Sequence, residues 1–208
     1  MKTGIIFDMD GTLWDSSANV AASWNEILRE RGIARAPLTQ QDMQSIMGMT
    51  MTAIADRLWS MVPAPARYEL MHTCELHENE YLLEHGGELY PELTSTLTVL
   101  MERGYHLYIV SNCQSGYIET FLEHYHMEDF FEDLECYGNT QKGKADNIRA
   151  LALRNSLDRY YYVGDIQADY DAAISGGAEF IHAAYGFGTV AQEVPRIREF
   201  AELKKLFA

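Results

Sequence analysis

The 208-residue sequence predicts an α/β protein: a doubly wound parallel sheet interrupted by an inserted α-helical cap. Three observations lead there. Short apolar runs alternate with helical patterns along most of the chain, as a parallel sheet with helical crossovers requires. Residues 15–88 read as helical throughout, with no good strand run. Three of the apolar runs end in small polar or acidic clusters, and the carboxyl edge of an open parallel sheet is where ligands bind.

The first strand candidate is Gly4-Ile5-Ile6-Phe7, followed by Leu107 to Val110, a weaker Leu134-Glu135-Cys136, Tyr160 to Val163, and Phe180 to Ala183. Helical patterns fall between them at Glu92 to Arg103, Gly116 to His126, Ala145 to Asn155 and Ala168 to Ser175. This alternation gives a Rossmann-like core over residues 1–14 and 89–208, with the cap over 15–88. Gly32 and Pro63-Ala-Pro65 punctuate the cap, and Gly86-Gly87 closes it. Within it, Met47, Met51, Ile54 and Leu58 are spaced four, three and four apart, which predicts one helical face packed inside the cap. A pocket lined by flexible methionines is the alternative.

Composition removes several function classes. Hydrophobic residues make up 47% and charged ones 23%, so the chain can bury a real core. Sixteen Lys and Arg against 31 Asp and Glu give a formal net charge of -15, which repels polyanions and argues against a nucleic-acid partner. No apolar run reaches the roughly 20 residues of a membrane helix, and no signal-peptide pattern opens the chain, so a cytoplasmic protein without a membrane partner is expected. Cys74, Cys113 and Cys136 are odd in number and form no C-x-x-C pair; they are expected as buried free thiols.

The strand ends carry the chemistry. Asp8-Met9-Asp10-Gly11-Thr12 follows the first strand, with two carboxylates at i and i+2 pointing the same way and a glycine permitting a sharp turn. By average residue frequencies such a pattern arises about once in 10⁵ positions, too rarely for an incidental turn to be the better reading. Gly164-Asp165-Ile166-Gln167-Ala168-Asp169 ends the fourth strand. One carboxylate at a helix N-terminus is ordinary capping, but four at one sheet edge repel each other and call for a cation. Hard oxygen ligands suit Mg²⁺ better than zinc. Ser111-Asn112 adds a hydroxyl and an amide that can hold an anion's oxygens. Lysine is scarce: between Lys2 and Lys204 only Lys142 and Lys144 occur, in a loop just before a helix, where an ammonium could balance the carboxylates.

With these motifs in view, the chain resembles the haloacid dehalogenase superfamily, in particular its phosphoglycolate phosphatase and β-phosphoglucomutase-like branch with a helical cap. The resemblance rests on Asp8-Met9-Asp10-Gly11-Thr12-Leu13 and Gly164-Asp165-x-x-x-Asp169, supported by Ser111-Asn112 and the loop lysine, and spans essentially the whole chain. It implies a phosphatase acting on a small phosphorylated metabolite through an aspartyl-phosphate. Asp8 would be the nucleophile and Asp10 the general acid and base. Mg²⁺ would be held by the Asp8 carboxylate, the Asp10 backbone carbonyl and Asp165, with Asp169 in or near the shell. Thr12, Ser111, Asn112 and the lysine would contact the phosphate. The lysine motif lacks its usual proline; Lys144, directly before the helix, is the choice over Lys142.

Other features carry less. The Glu128 to Asp133 stretch is read as packed phenylalanines with solvated acids, Gly186-Phe187-Gly188 lacks the third glycine of a dinucleotide fingerprint, and His124 and His126 lack a ligand set. Arg57 is a candidate for a second anionic group on the substrate. Two rival functions remain, a sugar phosphomutase with the same motifs and a non-catalytic binding or regulatory protein of the same fold. Dehalogenation is disfavoured by the presence of Asp10, and phosphonate hydrolysis through a cap lysine by the lack of any lysine in residues 15–88.

Overall fold

The computed structural model describes residues 1–208. The chain opens with β1 (Thr3–Phe7) and a short β2 (Trp14–Asp15), then runs through four helices, α1 (Ser17–Glu30), α2 (Gln40–Gln44), α3 (Met51–Leu58) and α4 (Ala64–His85). It returns along β3 (Glu88–Leu89) and continues as α5 (Leu93–Glu102), β4 (His106–Ser111), α6 (Tyr117–Tyr125), β5 (Asp133–Cys136), α7 (Tyr137–Thr140) and α8 (Lys144–Arg154). The remainder is β6 (Arg159–Gly164), α9 (Gln167–Gly176), β7 (Glu179–Ala183), β8 (Arg196–Ile197) and α10 (Leu203–Leu206). No helix is long and apolar enough to cross a membrane.

Six strands form one parallel sheet in the order β5-β4-β1-β6-β7-β8. The apolar N-terminal run becomes the central strand because Ile5, Ile6 and Phe7 are buried on both faces, as parallel sheets demand. Phe7 lies opposite Ile109 of β4 and Val163 of β6. The carboxyl ends of β1, β4 and β6 therefore stand side by side, and these three bear the acidic and Ser-Asn clusters. The chain steps from β1 out to β4 and β5, then crosses back to β6, so the order reverses at this point of the edge, where α/β sheets place their ligands. The α/β doubly wound fold is thus as the sequence predicts.

Between β1 and β4, the segments that enter and leave the four-helix insertion pair antiparallel, Trp14 with Leu89 and Asp15 with Glu88. These two-residue strands, like β8, are too short to show a period of two. Met47 corrects the expected helical face of Met47, Met51, Ile54 and Leu58. It sits in the turn between α2 and α3, because Gly48 adopts φ +85 and stops the helix, which begins only at Met51. Met51 and Ile54 are buried in the main core, and the partly buried Leu58 packs against that core. The three cysteines are free and buried.

Candidate active site

At the end of β1, the Asp8 backbone N–H still donates to the Val163 carbonyl, 2.9 Å, so the ladder continues through the residue and fixes its carboxylate at the edge. Asp8, Asp165 and Asp169 are all buried, and one carboxylate oxygen from each falls within 4.8 Å of the others. Lys144 joins them from the first turn of α8, its Nζ 2.6 Å from Asp169 Oδ1 and 3.0 Å from Asp8 Oδ1. The Asp8 contact is off the hydrogen-bonding direction, leaving that buried oxygen without a donor, so its attraction to Lys144 is electrostatic. Lys142 lies exposed, its backbone N–H bonded to Thr140 Oγ1.

Three buried carboxylates with one ammonium are undercompensated. Burial first, and then the charge of Asp169, push Asp8 up to about 6. The same causes push Asp165 up to about 8, against the opposing hydrogen bond from the Phe187 N–H. Lys144 is driven well above its ordinary value by Asp169 and Asp8, which outweigh burial. A divalent cation would restore the balance. The donor set fits it: hard carboxylate oxygens from Asp8 and Asp165 converge, and one buried Asp8 oxygen has no hydrogen bond. Asp169, the third carboxylate of this cluster, is also engaged within the protein. Its Oδ1 takes Lys144, and its Oδ2 accepts the backbone N–H groups of Asp165 at 3.1 Å and Ile166 at 3.2 Å, so it caps α9 and braces the lysine.

The Asp10 carboxylate points elsewhere, toward the insertion. Ser16 Oγ donates to its Oδ1 at 2.6 Å and Tyr117 OH at 2.8 Å. Burial pushes Asp10 up to about 7 despite both donors. Thr12 is fully buried, and its hydroxyl has no partner in the protein. Ser111 is buried at the end of β4; Asn112 Nδ2 donates to the Gly48 carbonyl at 2.9 Å, tying the α2–α3 turn to the sheet edge, while the buried Asn112 Oδ1 has no partner in the protein. Arg57 is exposed, with its guanidinium 3.9 Å from the Met49 sulfur.

Some residues that shape the site are silent in the motif reading. Ser16 and Tyr117 hold Asp10. The Gly186-Phe187-Gly188 segment supplies the Phe187 N–H to Asp165 Oδ2 at 2.7 Å, and a Cβ on Gly186 would collide with the Gly11 carbonyl and the Asp165 side chain. Gly11, at φ +80, is confined in the same way, since a Cβ there would strike the Asp165 carboxylate. Above Asp10, a cavity of about 40 Å³ lies between the insertion and the core, with Glu78 of α4 and several methionines on its wall. Glu78 accepts from Trp24 Nε1 and, at 3.0 Å, from Gln114 Nε2. Burial raises it to about 8. A sequence signal for Glu78 does exist: it interrupts the buried stripe Leu70, Cys74, Leu82 of α4 at the four-residue spacing.

The sequence model of the haloacid dehalogenase-like hydrolases matches residues 5–183. The chain belongs to this family. Among curated haloacid dehalogenase-like relatives, it is 28% identical over 196 residues to a phosphoglycolate phosphatase of Aliivibrio fischeri, covering 88% of this chain and 84% of that one. With the phosphoglycolate phosphatase of Rhodobacter capsulatus the identity is 26% over 213 residues, covering 99% and 95%. The fold is shared with a predicted phosphoglycolate phosphatase from Haemophilus somnus, at TM-score 0.83 and 23% identity over 100% of this chain and 98% of that one. It is also shared with CbbY from Rhodobacter sphaeroides in complex with phosphate, at TM-score 0.80 and 16% identity, covering 98% and 96%.

Proposed function

We propose that this protein is a cytoplasmic Mg²⁺-dependent phosphatase that hydrolyses a small phosphate monoester through an aspartyl-phosphate on Asp8. The observation that carries this is the pairing of two carboxylates of opposite setting two residues apart. Asp8 faces Lys144 among the clustered acids, whereas Asp10 is turned away and held by neutral donors. Two environments for one residue type assign two roles.

Asp8, whose position is fixed by the β1–β6 ladder, attacks phosphorus. The P–O bond to the alcohol breaks, and Asp10 gives that oxygen its proton. Both donors to Asp10 converge on Oδ1, which leaves Oδ2 to carry the proton, and a carboxyl raised to about 7 holds one at neutral pH. In the second step Asp10, now ionised, takes a proton from the water that attacks the phosphoryl group, and Asp8 is released. Lys144, braced by Asp169, offsets the charge of the transferring group, and the unpartnered Thr12 hydroxyl and buried Ser111 offer donors to its oxygens. Asp8, Asp165 and the Asp10 carbonyl would hold Mg²⁺, which when bound screens an anionic nucleophile from an anionic phosphate. Residues 15–88 act as the cap over core residues 1–14 and 89–208, excluding water from the site. The names of the curated relatives and the three buried free thiols support this reading.

Hydrolysis of p-nitrophenyl phosphate tests it. Turnover is expected with Mg²⁺, and is lost on adding EDTA and in Asp8→Asn. Wild-type protein inert under these conditions would favour a non-catalytic member of the family.

A further inference from the structure

The cavity above Asp10 has no positive charge on its wall. Asp10 and Glu78 are the charged residue types that line it, and no lysine, arginine or histidine reaches it. Much of the remaining wall is apolar, with Trp24 and the half-buried or buried Met47, Met49 and Met51 prominent. The buried Glu78 is held only by neutral donors, Trp24 Nε1 and Gln114 Nε2. Residues 15–88 contain no lysine, none of their arginines or histidines lines the cavity, and Arg57 reaches only the outer side of the wall residue Met49, 3.9 Å from its sulfur. Lys144 is engaged with Asp8 and Asp169 at the sheet edge and is not part of this wall. The site is therefore polarised: its one cation, Lys144, stands where a phosphoryl group would meet Asp8, and the wall is acidic or apolar where the departing oxygen would meet Asp10.

An anionic group placed in this cavity would lose its water and gain no cation. Resting on the phosphatase reading above, we propose that the alcohol half of the substrate occupies this methionine-lined cavity and carries no negative charge. The substrate class is then the phosphate ester of a small neutral or amine-bearing alcohol, and a carboxylate-bearing alcohol such as that of phosphoglycolate is disfavoured. Trp24 and the polarisable methionine sulfurs accept a neutral or cationic body without needing a countercharge.

The test is a charge series on two-carbon alcohols: kcat/KM for ethyl phosphate, O-phosphoethanolamine and phosphoglycolate, with p-nitrophenyl phosphate as a reference. Ethyl phosphate and O-phosphoethanolamine are expected to exceed phosphoglycolate by about tenfold or more. Met47→Lys places a cation on the wall in a side chain of similar length, and is expected to move the ratio of ethyl phosphate to phosphoglycolate about tenfold toward phosphoglycolate. A wild-type preference for phosphoglycolate would overturn this inference and leave the phosphatase reading standing. A ratio unmoved by Met47→Lys, with both esters still turned over, would overturn the placement of the alcohol in this cavity. No turnover of any ester, p-nitrophenyl phosphate included, would contradict the phosphatase reading itself and this inference with it.

Discussion

Lys144 shows how much one buried charge can govern. Its ammonium is the one cation among the carboxylates of Asp8, Asp165 and Asp169, so Lys144→Ala leaves buried acids uncompensated and is expected to cost about 3–5 kcal/mol of stability. In the proposed reaction the same change removes charge stabilisation at the phosphoryl group, and kcat should fall by about 10²–10³. Lys142→Ala, at an exposed position, should leave both quantities near wild type. Paired melting curves and steady-state kinetics of the two variants check this, and equal losses in both would contradict it. Tyr117 offers a second test. Its hydrogen bond lowers the Asp10 pKa, which stands at about 7. Removing that donor in Tyr117→Phe weakens the ionised form, so the pKa rises and the proton is kept to higher pH. The alkaline limb of the kcat profile, where the acid form is lost, should move upward. A limb that stays put would separate Asp10 from the leaving group.

Individual elements carry their own consequences. On α4, Glu78 sits within the buried stripe and has its carboxyl raised from 4.5 to about 8 by burial. An acid whose folded-state pKa is raised holds its proton more tightly when folded, so its cost is absent below pH 4.5 and grows as pH rises toward 8. Glu78→Gln removes this titration. The stability of the variant relative to wild type, followed by melting curves, should therefore climb between pH 5 and pH 8, by an amount on the order of a few kcal/mol at most. A constant difference across that range would contradict the assignment. In the loop after β7, Gly186→Ala forces a Cβ against the Gly11 carbonyl and Asp165, and should weaken metal binding and turnover together. At this scale the sequence is most informative. Five strand runs and four core helices are legible because each is long enough to show its period, and Asp8, Asp10 and Asp165 because Asp and Gly cluster at strand ends. The two-residue strands lack a period. Tyr117 and Ser16 carry no motif, since their importance lies in a contact made across 101 residues of chain. Met47 misleads because spacing registers a face but not the left-handed Gly48 that ends it.

For the whole molecule, a net charge of -15 looks unsuited to an anionic substrate. The answer is one of location: Asp8, Asp165 and Asp169 are gathered at one edge of the sheet, where a divalent cation would balance them. Mg²⁺ should therefore stabilise the fold in a saturable way, by about 2.7 kcal/mol at one hundred times its Kd, seen as a rise in melting temperature. NaCl matched for ionic strength should not reproduce this, and Asp165→Asn should abolish it. A Mg²⁺ effect that survives in Asp165→Asn would place the ion elsewhere. The central claim is that phosphate leaves in two steps, by way of Asp8. The configuration at phosphorus reports this most directly, using a monoester made chiral with oxygen isotopes and hydrolysed in isotopically distinct water. Two successive in-line displacements invert twice, so the released phosphate should show net retention. Net inversion would mean that water attacks the substrate directly, and would contradict the account.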